Sequence, residues 1–262
     1  MLRTVEDAVD LYRGAQSVPQ SETRERMRRD HGIAIDGDML MSGVQNATFY
    51  HAFENYVPRV VKVPKGVGSA KSECALWKDV SGHVVPGVFL VPVRLLVLGY
   101  GTIQGRGGCD TSGVLMPLYS GTLARIPTPA DEDYATIVIE RIEPTLRFLN
   151  QRGWMHGDVK PSNIFLDYEG SAWLGDFGSS VLLTAAEGFS GGTPSFQCEH
   201  FEALEDPLRF DLIGLAVSVL VLLGLIKPPK TSFEGWSLEV LKNSTLRISD
   251  PVLKAKLVSL LA

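Results

Sequence analysis

Asp158, Lys160 and Asn163 lie on one short stretch, His156-Gly157-Asp158-Val159-Lys160-Pro161-Ser162-Asn163. A carboxylate there can receive a hydroxyl proton, and an ammonium two residues on can neutralise a phosphate. The amide oxygen of Asn163 can ligate a hard cation such as Mg²⁺. Asp176 follows Asn163 by 13 residues, the length of a β-hairpin, and offers a second oxygen ligand. Upstream, Val60-Val61-Lys62 sets a lysine on an apolar, β-branched run. Glu73, 11 residues later, is the carboxylate it could pair with. Phosphoryl transfer needs phosphates held, a metal placed, charge neutralised and a nucleophile aimed, and these side chains are of the types that do so.

Such residues need elements to hold them. From Ile35 onward, apolar and β-branched runs separated by turn residues predict an antiparallel sheet, continuing through residues 88–105 and 112–119. The run Gly105-Arg106-Gly107-Gly108-Cys109-Asp110-Thr111-Ser112-Gly113 predicts a glycine-rich turn. Residues 69–80 have helical spacing. Residues 131–151 predict a long amphipathic helix with acidic residues at its start, and Gly153 stops it. Residues 154–180 predict short strands and loops, with Glu169-Gly170 as a hairpin turn. Two weaker helices close the chain. A β-rich first part and an α-rich second part predict an α+β fold of two lobes with a ligand cleft between them.

Composition excludes some functions. The net charge of −5, with no strongly basic half, argues against nucleic acid as a partner. Cys74, Cys109 and Cys198 are odd in number and lack CxxC spacing, so a reducing, intracellular and cytoplasmic setting is expected. His31, His51, His83 and His200 are scattered without metal-ligand spacing. The N-terminus, MLRTVEDAVDLYRG, carries charges where a secretory signal would be apolar. Residues 212–226 are apolar but too short for a bilayer, which needs about 20 residues, so a buried helix and no membrane span are expected. Residues 1–35 read as a helical extension whose Arg24, Arg26, Arg28 and Arg29 form a solvated face.

The catalytic stretch resembles the H-R-D-x-K-x-x-N loop of eukaryotic-type protein kinases, and Asp176-Phe177-Gly178 resembles their D-F-G. The resemblance runs from about residue 35 to the end. It implies a two-lobed domain over residues 36–262, with an N-lobe to about 114, a hinge at about 115–120 and a helical C-lobe beyond. It further implies that ATP and Mg²⁺ (or Mn²⁺) are bound and that a Ser or Thr hydroxyl of a protein substrate is phosphorylated. Asp158 and Lys160 would be catalytic, and Asn163 and Asp176 would hold the metal. Lys62, Glu73, Val60, Met116 and Leu118 would line the nucleotide site. His156, Phe177, Gly178 and Asp211 would be structural or regulatory, with Asp211 holding the catalytic-loop backbone. Gly192-Thr193-Pro194-Ser195-Phe196 resembles the G-T-x-x-Y stretch that ends the activation segment.

The departures are as specific. Ser42, Val44 and Ala47 stand where the family's glycine loop has glycines, with only Gly43 nearby. Val60 replaces an alanine and Gly157 an arginine. Cys198-Glu199-His200 stands in place of A-P-E, and about 50 residues follow Asp211, fewer than the family's helices need. A pseudokinase scaffold and a small-molecule phosphotransferase, whose relatives carry H-G-D before an Asn, therefore stay open beside an active kinase.

Overall fold

The computed structural model describes residues 20–41, 47–64, 69–103, 106–184, 191–199, 205–228 and 235–262. The first 19 residues, the stretch around Ser42, Gly43 and Val44, residues 185–190 and His200 lie outside the described residues. The chain divides into two compact units, residues 1–79 with 92–118, and residues 80–91 with 119–262.

The first unit opens with helix α1 (Gln20–His31), followed by strands β1 (Ile33–Met41), β2 (Ala47–Glu54) and β3 (Val57–Pro64). Helix α2 (Ser69–Val80) precedes β4 (Arg94–Ile103) and β5 (Arg106–Pro117). The five strands form one antiparallel sheet in the order β1-β2-β3-β5-β4. Alternation along the strands sorts the side chains. Tyr50, Ala52, Val61, Leu96 and Leu115 gather in one apolar cluster, whereas Val60 and Lys62 point the other way. Met27 of α1 and Ile33 complete that cluster, both fully buried. The helix expected to be a peripheral extension is thus part of this unit's core, through one methionine, while Arg28 and Arg29 stay exposed.

Residues 106–113, expected as a turn, are strand. Gly101 pairs with Cys109, Tyr100 with Asp110 and Gly99 with Thr111. A ladder is made by backbone N–H and C=O groups, and the pairing with β4 outweighs the low strand preference of glycine. Residues 88–91, expected as strand in this sheet, instead belong to the second unit.

That unit contains β6 (Gly121–Thr122), α3 (Glu132–Gln151), β7 (Trp154–Met155), β8 (Ile164–Leu166), β9 (Ala172–Leu174) and β10 (Val181–Leu182). Three helices follow: α4 (Pro207–Leu222), α5 (Leu238–Thr245) and α6 (Pro251–Leu260). Phe89 and Val91 bond to Leu174 across the edge of β9, and the Phe89 N–H donates to Thr145 of α3, which fixes residues 88–91 here. Asp131 caps α3 by accepting from the Asp133 N–H. The Glu132 carboxylate accepts from the N–H groups of both Ser249 and Asp250, where α6 begins. Helix α4 is apolar on every side and almost wholly buried, as a core helix should be. Among the described residues no helix is long and apolar enough to cross a membrane.

The Met27 contact gives a test. Met27→Ala should lower the unfolding free energy by about 2–5 kcal/mol, the usual cost of emptying a core site. Arg29→Ala, on the exposed face, should cost less than about 1 kcal/mol. Equal effects in urea titrations would mean that α1 does not close the core.

Candidate active site

Lys62 and Glu73 meet as a buried ion pair, with Nζ 2.8 Å from Oε2. The side chains are 6% and 1% exposed, so the pair is held away from water. The short spacing works because β3 passes into α2 within a few residues, and Glu73 lies in the first turns of that helix. Val60 and Met116 are cross-strand partners and both are buried. Leu118, just past β5, is half-buried. Burial and the neighbouring Glu73 push the Cys74 thiol up to about 12, which keeps it an unreactive packing group.

In the second unit Asp158 is the centre of a small network. Its Oδ2 accepts from Lys160 Nζ at 2.7 Å and from Asn163 Nδ2 at 3.1 Å. Its Oδ1 accepts from the Thr193 hydroxyl at 2.7 Å, and that hydroxyl in turn accepts from Lys160 Nζ at 2.7 Å. Asn163 also donates to the Asp158 carbonyl at 2.8 Å, which closes the loop on itself. Asp158, Lys160 and Asn163 are therefore brought together, and Thr193 joins them from 30 residues further on.

The loop backbone hangs on Asp211 in the first turns of α4. Its two carboxylate oxygens accept from the His156 N–H at 2.7 Å and the Gly157 N–H at 2.9 Å. Gly157 has φ of +79°, a left-handed conformation that glycine adopts without cost. An arginine there would be strained, so the replacement noted in the sequence goes with a backbone turn. Helix α4 comes so close that a Cβ on Gly214 would sit 2.9 Å from the Val159 carbonyl oxygen. His156 is fully buried, its Nε2 3.0 Å from the Gly175 carbonyl and its Nδ1 3.3 Å from the Asp158 N–H. An imidazole with its hydrogen on Nε2 satisfies both contacts. The ring stands edge-on to Phe177 at 5.8 Å.

Strands β8 and β9 form the hairpin between Asn163 and Asp176, and the Gly175 N–H donates to the Asn163 carbonyl. The two residues thus stand at the same end of one hairpin. Asp176 is left-handed at φ of +61°, one of few non-glycine residues here that are, and Phe177 is fully buried beside it. Gly178 is exposed. Among the described residues no group of three or more His, Cys, Asp or Glu could hold a metal by itself. A carboxylate and an amide oxygen are nonetheless a hard donor set that suits Mg²⁺, which takes one or two protein ligands and completes its shell with phosphates and water. Asn163 spends its amide nitrogen on Asp158, and its oxygen, which accepts from the Ser162 hydroxyl at 3.4 Å, keeps a second lone pair for that role.

Sequence reasoning passed over the part Gly157 plays in the backbone turn. It also passed over Trp236, whose contacts are described below. A lone tryptophan after a glycine carries no periodic or motif signal.

No family model matches the chain. Several curated protein kinases are similar to part of it. A stretch of 74 residues is 34% identical to mitogen-activated protein kinase kinase 10 of Arabidopsis thaliana, covering 28% of this chain and 24% of that protein. A stretch of 94 residues is 33% identical to a probable cAMP-dependent protein kinase catalytic subunit of Encephalitozoon cuniculi, covering 36% and 29%. Over 104 residues the identity to a calcium/calmodulin-dependent protein kinase kinase of Caenorhabditis elegans is 35%, covering 38% and 19%. The chain spans less than a third of the length of these relatives. The likeness is of a protein-kinase kind over the matched stretches.

The Asp211 anchor has a measurable pH signature. Burial outweighs its two hydrogen bonds and raises the carboxyl from 3.8 to about 6. The native state then binds this proton more tightly than the unfolded chain. The stabilisation is full below about pH 4 and is lost as the pH rises through about 6. Asp211→Asn lacks this titration and offers one acceptor to two N–H groups, a deficit of about 1–3 kcal/mol. The stability difference between parent and variant should therefore narrow from about pH 4 to about pH 6 in urea unfolding. A difference that widens over that range would show the hydrogen bonds outweighing burial.

Proposed function

We propose that the chain is an ATP-dependent protein kinase acting on Ser or Thr hydroxyls. The observation that carries this reading is the Asp158 network: a largely buried carboxylate held by Lys160, Asn163 and Thr193. In the proposed reaction an acceptor hydroxyl hydrogen-bonds to the Asp158 carboxylate beside Thr193 and loses its proton to it as its oxygen attacks the γ-phosphorus. Lys160 neutralises the charge on the transferring group, and the bond to the β-phosphate oxygen breaks. Lys62, fixed by Glu73, is assigned to the α- and β-phosphates, and Val60, Met116 and Leu118 to the base. Asn163 and Asp176 are assigned to Mg²⁺, which when bound offsets the charge of the phosphates. Lys160 two residues after Asp158 supports Ser/Thr acceptors, and the partial likeness to kinases supports a protein substrate. The glycine-poor stretch near Val44 favours a second reading, a pseudokinase scaffold.

The deciding experiment incubates the purified chain with labelled ATP, Mg²⁺ or Mn²⁺ and generic protein substrates. Asp158→Asn should abolish transfer and leave nucleotide affinity unchanged, whereas Asp176→Asn should damage both. Mg-ATP at 100 times its dissociation constant should add about 2.7 kcal/mol, a melting shift of roughly 5–10 °C. No shift at millimolar Mg-ATP would refute nucleotide binding, and a shift without transfer would favour the scaffold.

Regulation follows from Gly157. An arginine before the catalytic aspartate could pair with a phosphate on the following segment, and glycine offers no cation. Activity should therefore be independent of phosphorylation between residues 176 and 199. Phosphatase-treated protein should keep its rate, and a tenfold loss would overturn this.

A further inference from the structure

Residues 193–197 form a turn closed on itself, with the Phe196 N–H bonded to the Thr193 carbonyl at 2.9 Å and the Gln197 N–H to the Pro194 carbonyl at 3.0 Å. Thr193 at one end of this turn holds both Asp158 and Lys160. The other end is seized by Gly235 and Trp236. The Trp236 N–H donates to the Gln197 carbonyl at 2.7 Å, and the Glu199 N–H donates to the Trp236 carbonyl at 3.0 Å. The Trp236 indole N–H reaches back to the Ser195 carbonyl at 2.8 Å. Gly235 lies flat against this strip: a Cβ there would stand 2.6 Å from Cys198 C and Glu199 N, and 2.7 Å from Gln197 O. Those atoms are backbone and cannot swing aside.

We infer that Gly235 and Trp236 form a clamp that positions Thr193 on the Asp158–Lys160 pair, making Trp236 a positioning residue for transfer. The inference rests on the phosphotransfer reading above and adds to it a second anchor, separate from Asp211. Two of the three hydrogen bonds run between backbone groups, and the third, from the indole, spans the turn, so strip and turn move as one body. Thr193 then meets Asp158 and Lys160 without a search over its own backbone conformations. The clamp stands against Cys198 and Glu199.

The test separates positioning from stability. Gly235→Ala should lower kcat at least tenfold and change the KM for ATP less than twofold. Trp236→Phe, which keeps an aromatic ring but loses the indole N–H, should lower kcat about threefold. In a Thr193→Val background neither change should lower kcat further, because the clamp acts through that hydroxyl. Effects that simply multiply in the double variants would overturn the inference. A readout independent of activity distinguishes its failure from that of the functional reading. By ¹⁵N NMR the Lys160 ammonium signal should move in Gly235→Ala as it does in Thr193→Val, whether or not the parent transfers phosphate. An unmoved signal would overturn the clamp, and a moved signal in a parent without transfer would overturn only the kinase reading.

Discussion

A buried carboxylate with two backbone N–H groups is the constraint on which the second unit depends. Asp211 contributes nothing to chemistry directly, yet it fixes the turn at His156 and Gly157 from which Asp158 projects. The turn needs an acceptor for two adjacent N–H groups, and only a carboxylate supplies an oxygen to each in this geometry. Taking that charge out of water is costly, and the protein bears the cost at the start of an otherwise apolar helix. The apolar surroundings, in turn, keep competing water from the two bonds. The same residue therefore joins the most hydrophobic element of the unit to its most polar loop.

The first unit has its own version of this arrangement in Lys62 and Glu73. There too a buried charge meets a partner held by a different element, here a helix against a strand. Removing either residue would break this buried pair, at a cost of about 3–5 kcal/mol. Both units thus place their strongest electrostatic contact where two elements must be registered.

The parts legible in the sequence were those whose signal is local. The spacing of Asp158, Lys160 and Asn163, and the hairpin length to Asp176, lie within one loop and two short strands, and those side chains and strands stand as the spacing suggests. The long helix from Glu132 was legible from its acidic start and its periodicity. What was not legible depends on distant partners. Met27 sits in a strongly polar helix, so its burial follows from the sheet beneath it and not from its neighbours in sequence. The Gly107–Gly113 run scores as a turn by composition and becomes strand because the ladder with β4 supplies its hydrogen bonds. Residues 88–91 read as strand, and do bridge a strand, but in the other unit.

The clasp between Glu132 and the N–H groups of Ser249 and Asp250 has a consequence for the order in which the molecule assembles. The two ends of that contact are 117 and 118 positions apart. Closing so long a loop is entropically unfavourable until the intervening chain is already compact. Glu132 is a competent acceptor only once α3 has formed and fixed its first turn. The start of α6 therefore receives its partner late, after the middle of the unit has collapsed, and this helix docks onto a surface prepared for it and does not nucleate one.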